Sequence, residues 1–247
     1  MLVTGGAKGI GGAISRALAQ AGCDLAITYN SSRAAADAVL AELAAAHPGG
    51  TFRAIGCDLS DSDAVEALAT AIEADEAGYF GFVHNAGMPY DTLTATVDVR
   101  QGQRAMQVNF WSFARLARAQ FRGMSRKRAG RIVAIGSVTA LRGNQGNAVY
   151  AATKAALLGY VKTLAVEAAR RNITANVITP GYVDTDMLDS YKDFRAKLEP
   201  QVPLGRYAKP EEIAGMVAYL LSPAAGYVTG AELTIDGGLS ASLGLKR

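Results

Sequence analysis

Seven short apolar runs, separated by stretches with helical character, constrain this chain more than any other feature. They fall in an abbreviated run at the start of 1–22 and at 24–29, 51–55, 80–87, 131–136, 173–178 and 232–235. Strands that alternate with helices form a mostly parallel sheet, and such a sheet is covered on both faces. The expected architecture is therefore α/β, with seven strands and helices on either side. No internal repeat, low-complexity linker or second boundary interrupts the 247 residues, so 1–247 reads as a single domain. One polar stretch without clear periodicity, 182–203, reads as a substrate lid beside the site, or else as an inert surface excursion.

Residues suited to chemistry sit just past the ends of these runs. The first run passes into T-G-x-x-x-G-x-G, with Gly5, Gly9 and Gly11 leading a helix that carries Ile10, Ile14, Ala17 and Leu18. Glycine lets a backbone turn tightly and approach a ligand, while a helix start offers free N–H groups and a positive dipole end to a diphosphate. The spacing departs from the usual G-x-G-x-x-G, but strand, turn and helix come in the order a dinucleotide site needs.

The second run ends in Asn30, Ser31, Ser32 and Arg33, where such a site meets the adenosine ribose. No acid stands there to bond two ribose hydroxyls. Lys8, Ser31 and Arg33 instead offer partners to a 2′-phosphate, which points to NADPH, although Arg33 taken singly also reads as a solvated helix-start residue. Asp58, followed by Leu59, either accepts from the adenine amine or caps the next helix. Asn85, Ala86 and Gly87 are small enough to admit a nucleotide, and Pro180 and Gly181 break the sixth run. Ligands bind at the carboxyl edge of an open α/β sheet, and these candidates converge on that edge. His84 reads as a packing or hydrogen-bonding residue. Asn109, inside an apolar helical stretch at 100–127, needs a backbone or water partner.

The segment 137–154 carries the reactive groups. Tyr150 and Lys154 are four residues apart, on one helix face. An isolated phenol is a poor acid at neutral pH, and a nearby cation is expected to lower its pKa toward general acid–base duty. Ser137, at the end of the preceding run, reaches the same pocket and can hydrogen-bond a substrate oxygen. The spacing alone also fits an ordinary surface helix.

Composition excludes several alternatives. The net charge of +3 is far below that of a nucleic-acid binder, and no apolar stretch is long enough to span a membrane. Two histidines, His47 and His84, leave little material for a zinc site or a Ser–His–Asp triad, and no metal is expected. Two cysteines, Cys23 and Cys57, and no visible leader fit a reducing, cytoplasmic setting.

TGGAKGIG (4–11), HNAG (84–87), Asn109, Ser137, YAATK (150–154), PGYVDT (180–185) and TGAELTIDGG (229–238) together resemble the short-chain dehydrogenase/reductase family, over essentially the whole chain. The resemblance implies a single-domain, Rossmann-like, doubly wound fold. It implies that Ser137 orients a carbonyl and Tyr150 donates the proton. Lys154 would lower the tyrosine pKa and hold the nicotinamide ribose, and Asn109 would hold a water linking Lys154 to solvent. The implied cofactor set is Gly5, Lys8, Gly9, Ile10, Gly11, Asn30, Ser31, Arg33, Asp58, Leu59, Asn85, Ala86, Gly87, Tyr150, Lys154, Pro180, Gly181, Val183 and Thr185. Three departures stand out: a shorter first strand, suggesting a trimmed start; His84 in place of an asparagine; and Trp111 after Asn109 where a tryptophan commonly precedes it.

Segments 141–187 and 203–223 look most like bacterial 3-oxoacyl-[acyl-carrier-protein] reductases, which implies NADPH, an acyl carrier protein partner and a homotetramer. The two departures around His84 and Trp111 would suit a specialised polyketide or polyene ketoreductase. A dehydrogenase of a free sugar, polyol or small alcohol is the same-chemistry alternative, and a non-catalytic dinucleotide-binding regulator the alternative of another class. Long helices richer in apolar residues than one sheet-facing stripe needs support the oligomer. Arg122, Arg126, Lys127, Arg128, Arg131, Arg170 and Arg171 form a candidate surface for an acidic carrier, or a set of helix-end cations.

Overall fold

The computed structural model describes residues 1–186 and 195–242. The central part of the expected lid, 187–194, lies outside the described residues. The strands are β1 (Leu2–Thr4), β2 (Leu25–Tyr29), β3 (Phe52–Gly56), β4 (Gly81–His84), β5 (Gly130–Ile135), β6 (Ile173–Pro180) and β7 (Glu232–Ile235). They form one sheet in the order β3-β2-β1-β4-β5-β6-β7, with every pairing parallel.

Consecutive strand residues enter opposite cores. Leu2, Phe82 and Ile132 face one side, whereas Val3, Val83 and Val133 face the other. Such strands are buried on both faces, which explains runs that are apolar throughout rather than alternating. Helices α3 (Ser62–Ala74), α5 (Ser112–Lys127) and α6 (Ala148–Ala168) cover the first face with Leu68, Phe113, Leu116 and Leu157. Helices α1 (Gly9–Gln20), α2 (Arg33–Ala46) and α8 (Pro210–Leu221) cover the second with Ile14, Leu43, Ile213 and Val217. Each such side chain contributes about 1.5–3 kcal/mol by leaving water. Two shorter helices, α4 (Val99–Met106) and α7 (Arg195–Leu198), complete the described set.

Local sequence explains several boundaries. Asp61 caps α3 by accepting from the N–H groups of Asp63 (2.8 Å) and Ala64 (3.3 Å). Pro210 opens α8 as expected, and the Glu212 carboxylate accepts from Lys209 N–H at 2.7 Å. Two expectations need correction. The helix expected over 100–127 is interrupted at Gln107–Trp111 by a π turn, an irregularity that hydrophobic periodicity does not reveal. Strand β6 also continues through Pro180, paired with Ile235, because a terminal strand position tolerates the missing proline N–H.

The strand order fixes the site. From adjacent β1 and β4 the chain winds outward in opposite directions, leaving a crevice above their carboxyl ends.

Candidate active site

The glycine-rich turn enters the crevice by having no side chains. Gly5 and Gly9 adopt φ values of 63° and 51°, in the left-handed region that favours glycine. A Cβ on Gly11 would lie 2.0 Å from the Gly5 carbonyl oxygen, so that position admits nothing larger. Ile10 and Gly11 form the first turn of α1, and Lys8 precedes it as an exposed residue in extended conformation. The turn is braced by polar groups that sequence reasoning missed. Gly5 N–H donates to Thr28 Oγ1, Asn85 Nδ2 donates to the carbonyls of Thr4 and Gly5, and Thr4 Oγ1 accepts from the N–H groups of Asn85 and Ala86. The available signal was that Thr4 and Thr28 interrupt apolar strands, where a buried hydroxyl needs a partner.

Beside this turn lies a cleft of about 230 Å³ lined by Gly5, Asn30, Asp58, Leu59, Ala86 and Gly87. Ser60, Met88 and Arg104 also line it and were not anticipated. Asp58 is not the cap of α3; it accepts from Ser60 N–H at 2.8 Å, and that bond holds its carboxyl below the usual range. Its place in the cleft wall supports the adenosine alternative. Ser31 is exposed near the rim, and Arg33 opens α2 with its guanidinium paired to Asp37 at 3.0 Å and bonded to Tyr29 Oη at 3.3 Å. The expected 2′-phosphate partner is thus partly engaged by a neighbour four residues on.

The far wall comes from β6. Gly181 packs so closely on Asp236 that a Cβ would meet its Cα at 2.8 Å. Beyond Pro180 the chain brings Val183 into a bridge with Ala208 and sets Thr185 Cγ2 3.2 Å from where a Gly9 Cβ would stand. Of the Pro180, Gly181, Val183 and Thr185 group, Thr185 is the residue that closes on the glycine-rich turn, while Pro180, Gly181 and Val183 pack against Ile235, Asp236 and Ala208. The fit to a dinucleotide is favourable: a side-chain-free turn at a helix start, an adjoining cleft, and a second wall on the opposite side.

Ser137, Tyr150, Lys154 and Asn109 converge at the inner end of this cleft. Ser137 lies two residues past β5, and its Oγ accepts from the N–H (3.2 Å) and hydroxyl (2.9 Å) of Thr139. Tyr150 faces Ser137 from α6, close enough for the two hydroxyls to interact. Lys154 is 3 % exposed, donates to the Ile135 carbonyl at 2.8 Å and lies 5.8 Å from the centre of the Tyr150 ring. Asn109 sits in the π turn with its Oδ1 accepting from Met88 N–H at 2.7 Å. Its Nδ2 donates to the Met88 carbonyl and to Thr153 Oγ1. A Cβ at Gly87 would stand 3.3 Å from Lys154 Nζ and 3.5 Å from Asn109 Oδ1, so the Asn85, Ala86 and Gly87 segment joins the two halves of the site.

Burial dominates the protonation of this cluster. Burial pushes the Tyr150 phenol up to about 12, with Asp91 adding to the rise and Ser137 opposing it. Burial likewise brings Lys154 down to about 8. Loss of water is the largest cause at both groups, so the four-residue spacing of Tyr150 and Lys154 does not by itself fix the charge of the phenol. The result is a phenol that keeps its proton at neutral pH beside an amine poised near it.

His84 is fully buried between Phe82 and Phe113, with Nδ1 3.3 Å from Thr4 Oγ1, as its packing role required. Cys23 and Cys57 are both free thiols.

The family model described as enoyl-(acyl carrier protein) reductase matches residues 5–240. The chain is 38 % identical over 242 residues to the 3-oxoacyl-[acyl-carrier-protein] reductase of Escherichia coli, covering 96 % of each chain. It is 37 % identical over 239 residues to the corresponding protein of Vibrio cholerae, again covering 96 % of each. Among solved structures, a short-chain dehydrogenase/reductase from Serratia marcescens superposes with a TM-score of 0.89 at 38 % identity, covering 97 % of this chain and 96 % of the other.

Proposed function

The chain belongs to the short-chain dehydrogenase/reductase family and is an NAD(P)H-dependent oxidoreductase, and on that premise we propose that it uses NADPH to reduce the 3-oxo group of an acyl thioester borne on acyl carrier protein. One observation carries the chemistry. Tyr150 and Ser137 present two hydroxyls at one point beside a buried lysine that has no carboxylate partner among the described residues. A buried, unpaired cation is costly and persists where a reaction uses it.

Bound NADPH supplies the hydride. Ser137 Oγ hydrogen-bonds the substrate carbonyl oxygen, and the Tyr150 phenol delivers its proton to that oxygen as negative charge develops there. A phenol held near 12 remains a donor throughout the neutral range. The ammonium form of Lys154, available below about 8, stabilises the phenolate left behind. Asn109 fixes Met88 and Thr153, keeping the π turn and α6 in register around the cluster.

The acidic-carrier reading is supported by exposed Arg126, Arg128, Arg170 and Arg171. Arg128 Nη2 donates to the Arg170 carbonyl at 3.0 Å, which ties the ends of α5 and α6 together. Three members of the expected cluster drop out or are occupied. Arg131 is 6 % exposed and bonded to the Gly130 and Asn172 carbonyls, Arg122 pairs with Glu73, and Lys127 donates to the Ala77 carbonyl. The remaining arginines lie where β5 and β6 begin, whereas Tyr150 lies where strands end. A carrier docked there stands at the opposite sheet edge from Tyr150 of the same chain, so it would have to serve the cleft of another subunit in the proposed tetramer. Half-exposed Trp111 and largely exposed Val166 lie on the helices that would pack in that assembly.

The test is NADPH oxidation with a 3-oxoacyl carrier thioester, the same acyl group on a small thiol, a 2-enoyl thioester, and simple sugars and ketones. The reading expects the 3-oxoacyl carrier thioester to be preferred and the enoyl compound untouched. Preference for a free sugar or alcohol, or reduction of the carbon–carbon double bond, would replace it.

A further inference from the structure

The loop leaving β4 braces the whole site, and its last hold is on the helix that carries Tyr150. Asn85 secures the glycine-rich turn, Met88 exchanges hydrogen bonds with Asn109, and Thr92 N–H donates to the Gly146 carbonyl at 2.7 Å. Between the last two, the Asp91 carboxylate accepts from Asn147 Nδ2, and Asn147 Oδ1 accepts from Asn144 Nδ2.

Asn147 immediately precedes α6 and is 7 % exposed. Asparagine at such a position ordinarily turns its side-chain oxygen onto the free N–H groups of the first helical turn. Here it makes no such bond, and its amide is spent across the site on Asp91 and Asn144. Tyr150 follows three residues later, within the first turn.

We propose that Asp91 is a positioning residue for the proton donor: it holds Asn147, and through it the start of α6, so that the Tyr150 phenol is set against Ser137, with the carboxylate facing that phenol. The inference rests on Tyr150 being the donor. Among the described residues, the charged and titratable groups around the phenol are Lys154 on the same helix, Asp91 from the loop after β4 and, behind Lys154, the buried neutral His84 of β4; the Ser137 hydroxyl faces it from the end of β5. A carboxylate in this position opposes formation of the phenolate, which keeps the donor protonated.

Two substitutions separate the roles. Asp91→Asn keeps an oxygen to accept from Asn147 and removes the charge; Asp91→Ala removes both. With the full chain and any carbonyl substrate it turns over, Asp91→Ala is expected to lower kcat by about tenfold to a hundredfold, the scale of a displaced reactive group, without changing the dissociation constant for NADPH. Asp91→Asn is expected to recover most of kcat and to move the alkaline limb of the pH–rate profile down by about half a unit, the effect of one exposed carboxylate.

A second readout needs no substrate. In protein labelled at tyrosine Cζ, with the Tyr150 resonance assigned by its loss in Tyr150→Phe, Asp91→Ala should shift and broaden that resonance. Asp91→Asn should leave it sharp and start its titration at lower pH. Unchanged resonance and unchanged pH profile in both variants overturn the proposal. Equal loss in both, with weaker NADPH binding, also overturns it, because the residue then supports the fold at large. Should the wild-type protein reduce no carbonyl compound, the functional reading falls while the resonance still decides whether Asp91 places Tyr150.

Discussion

The starts of α1 and α6 face the same cleft and work by opposite means. At α1 the chain removes side chains, and positive φ at Gly5 and Gly9 with a Gly11 pressed onto the Gly5 carbonyl leave only backbone near the ligand. At α6 the chain adds reactive side chains and then desolvates them, so that Tyr150 rises to about 12 and Lys154 falls to about 8. The first start is a backbone device written in eight consecutive residues and braced by Thr28 and Asn85. The second acquires its chemistry from Ser137, Asn109 and Asp91, which arrive from three other parts of the chain. Binding by backbone tolerates solvent, whereas proton transfer needs groups whose surroundings fix their charge.

The comparison breaks most sharply at Gly11. Gly11→Ala places a methyl 2.0 Å from a backbone oxygen, so the turn has to open. NADPH affinity should fall by more than about a hundredfold, or about 2.7 kcal/mol, in a chain whose far-ultraviolet circular dichroism is retained. Near-normal affinity would mean that the turn does not hold the cofactor.

His84 joins the two regions, reaching Thr4 on one side and sensing Lys154 on the other. Burial brings its imidazole from 6.5 down to about 3, so the unfolded chain takes up a proton before the folded one as pH falls. Stability should therefore drop between those two values and level off below them. At about pH 4.5, some two units below the unfolded value, the loss is about 2.7 kcal/mol. Urea unfolding at neutral and acidic pH checks this, and His84→Gln should flatten the slope even if its neutral stability is lower.

Arg33 gives the smallest effect. Its guanidinium is exposed and already paired with Asp37, so Arg33→Ala should weaken NADPH by about threefold to tenfold and leave NADH unchanged. Fluorescence titration of both nucleotides decides it. Equal weakening of both would assign Arg33 to the fold of α2 instead of the 2′-phosphate.

Much of the fold was legible because strands buried on both faces write themselves as continuous apolar runs. The ELTI run at 232–235 and the helix opened by Pro210 coincide with β7 and α8. The π turn around Asn109 was not legible, since an added residue in a helical turn leaves no compositional trace. Site membership was read from residue types at strand ends, and Ser137, Tyr150, Lys154 and Gly87 do meet. Their protonation was not readable, because it follows from burial rather than from the four-residue spacing of Tyr150 and Lys154. Arg131 shows the same limit: its neighbours in sequence are exposed cations, yet it lies under Phe80 with its guanidinium on two carbonyls.

The division of labour between the two helix starts is tested most directly by measuring NADPH affinity and 3-oxoacyl thioester turnover on the same preparation of Tyr150→Phe. The expected result is an unchanged dissociation constant with turnover reduced by at least about a hundredfold, the contribution of a positioned proton donor. Turnover near that of the wild-type protein would contradict the assignment of Tyr150. Loss of turnover with an equal loss of NADPH binding would show that the start of α6 serves the cofactor site and not the chemistry.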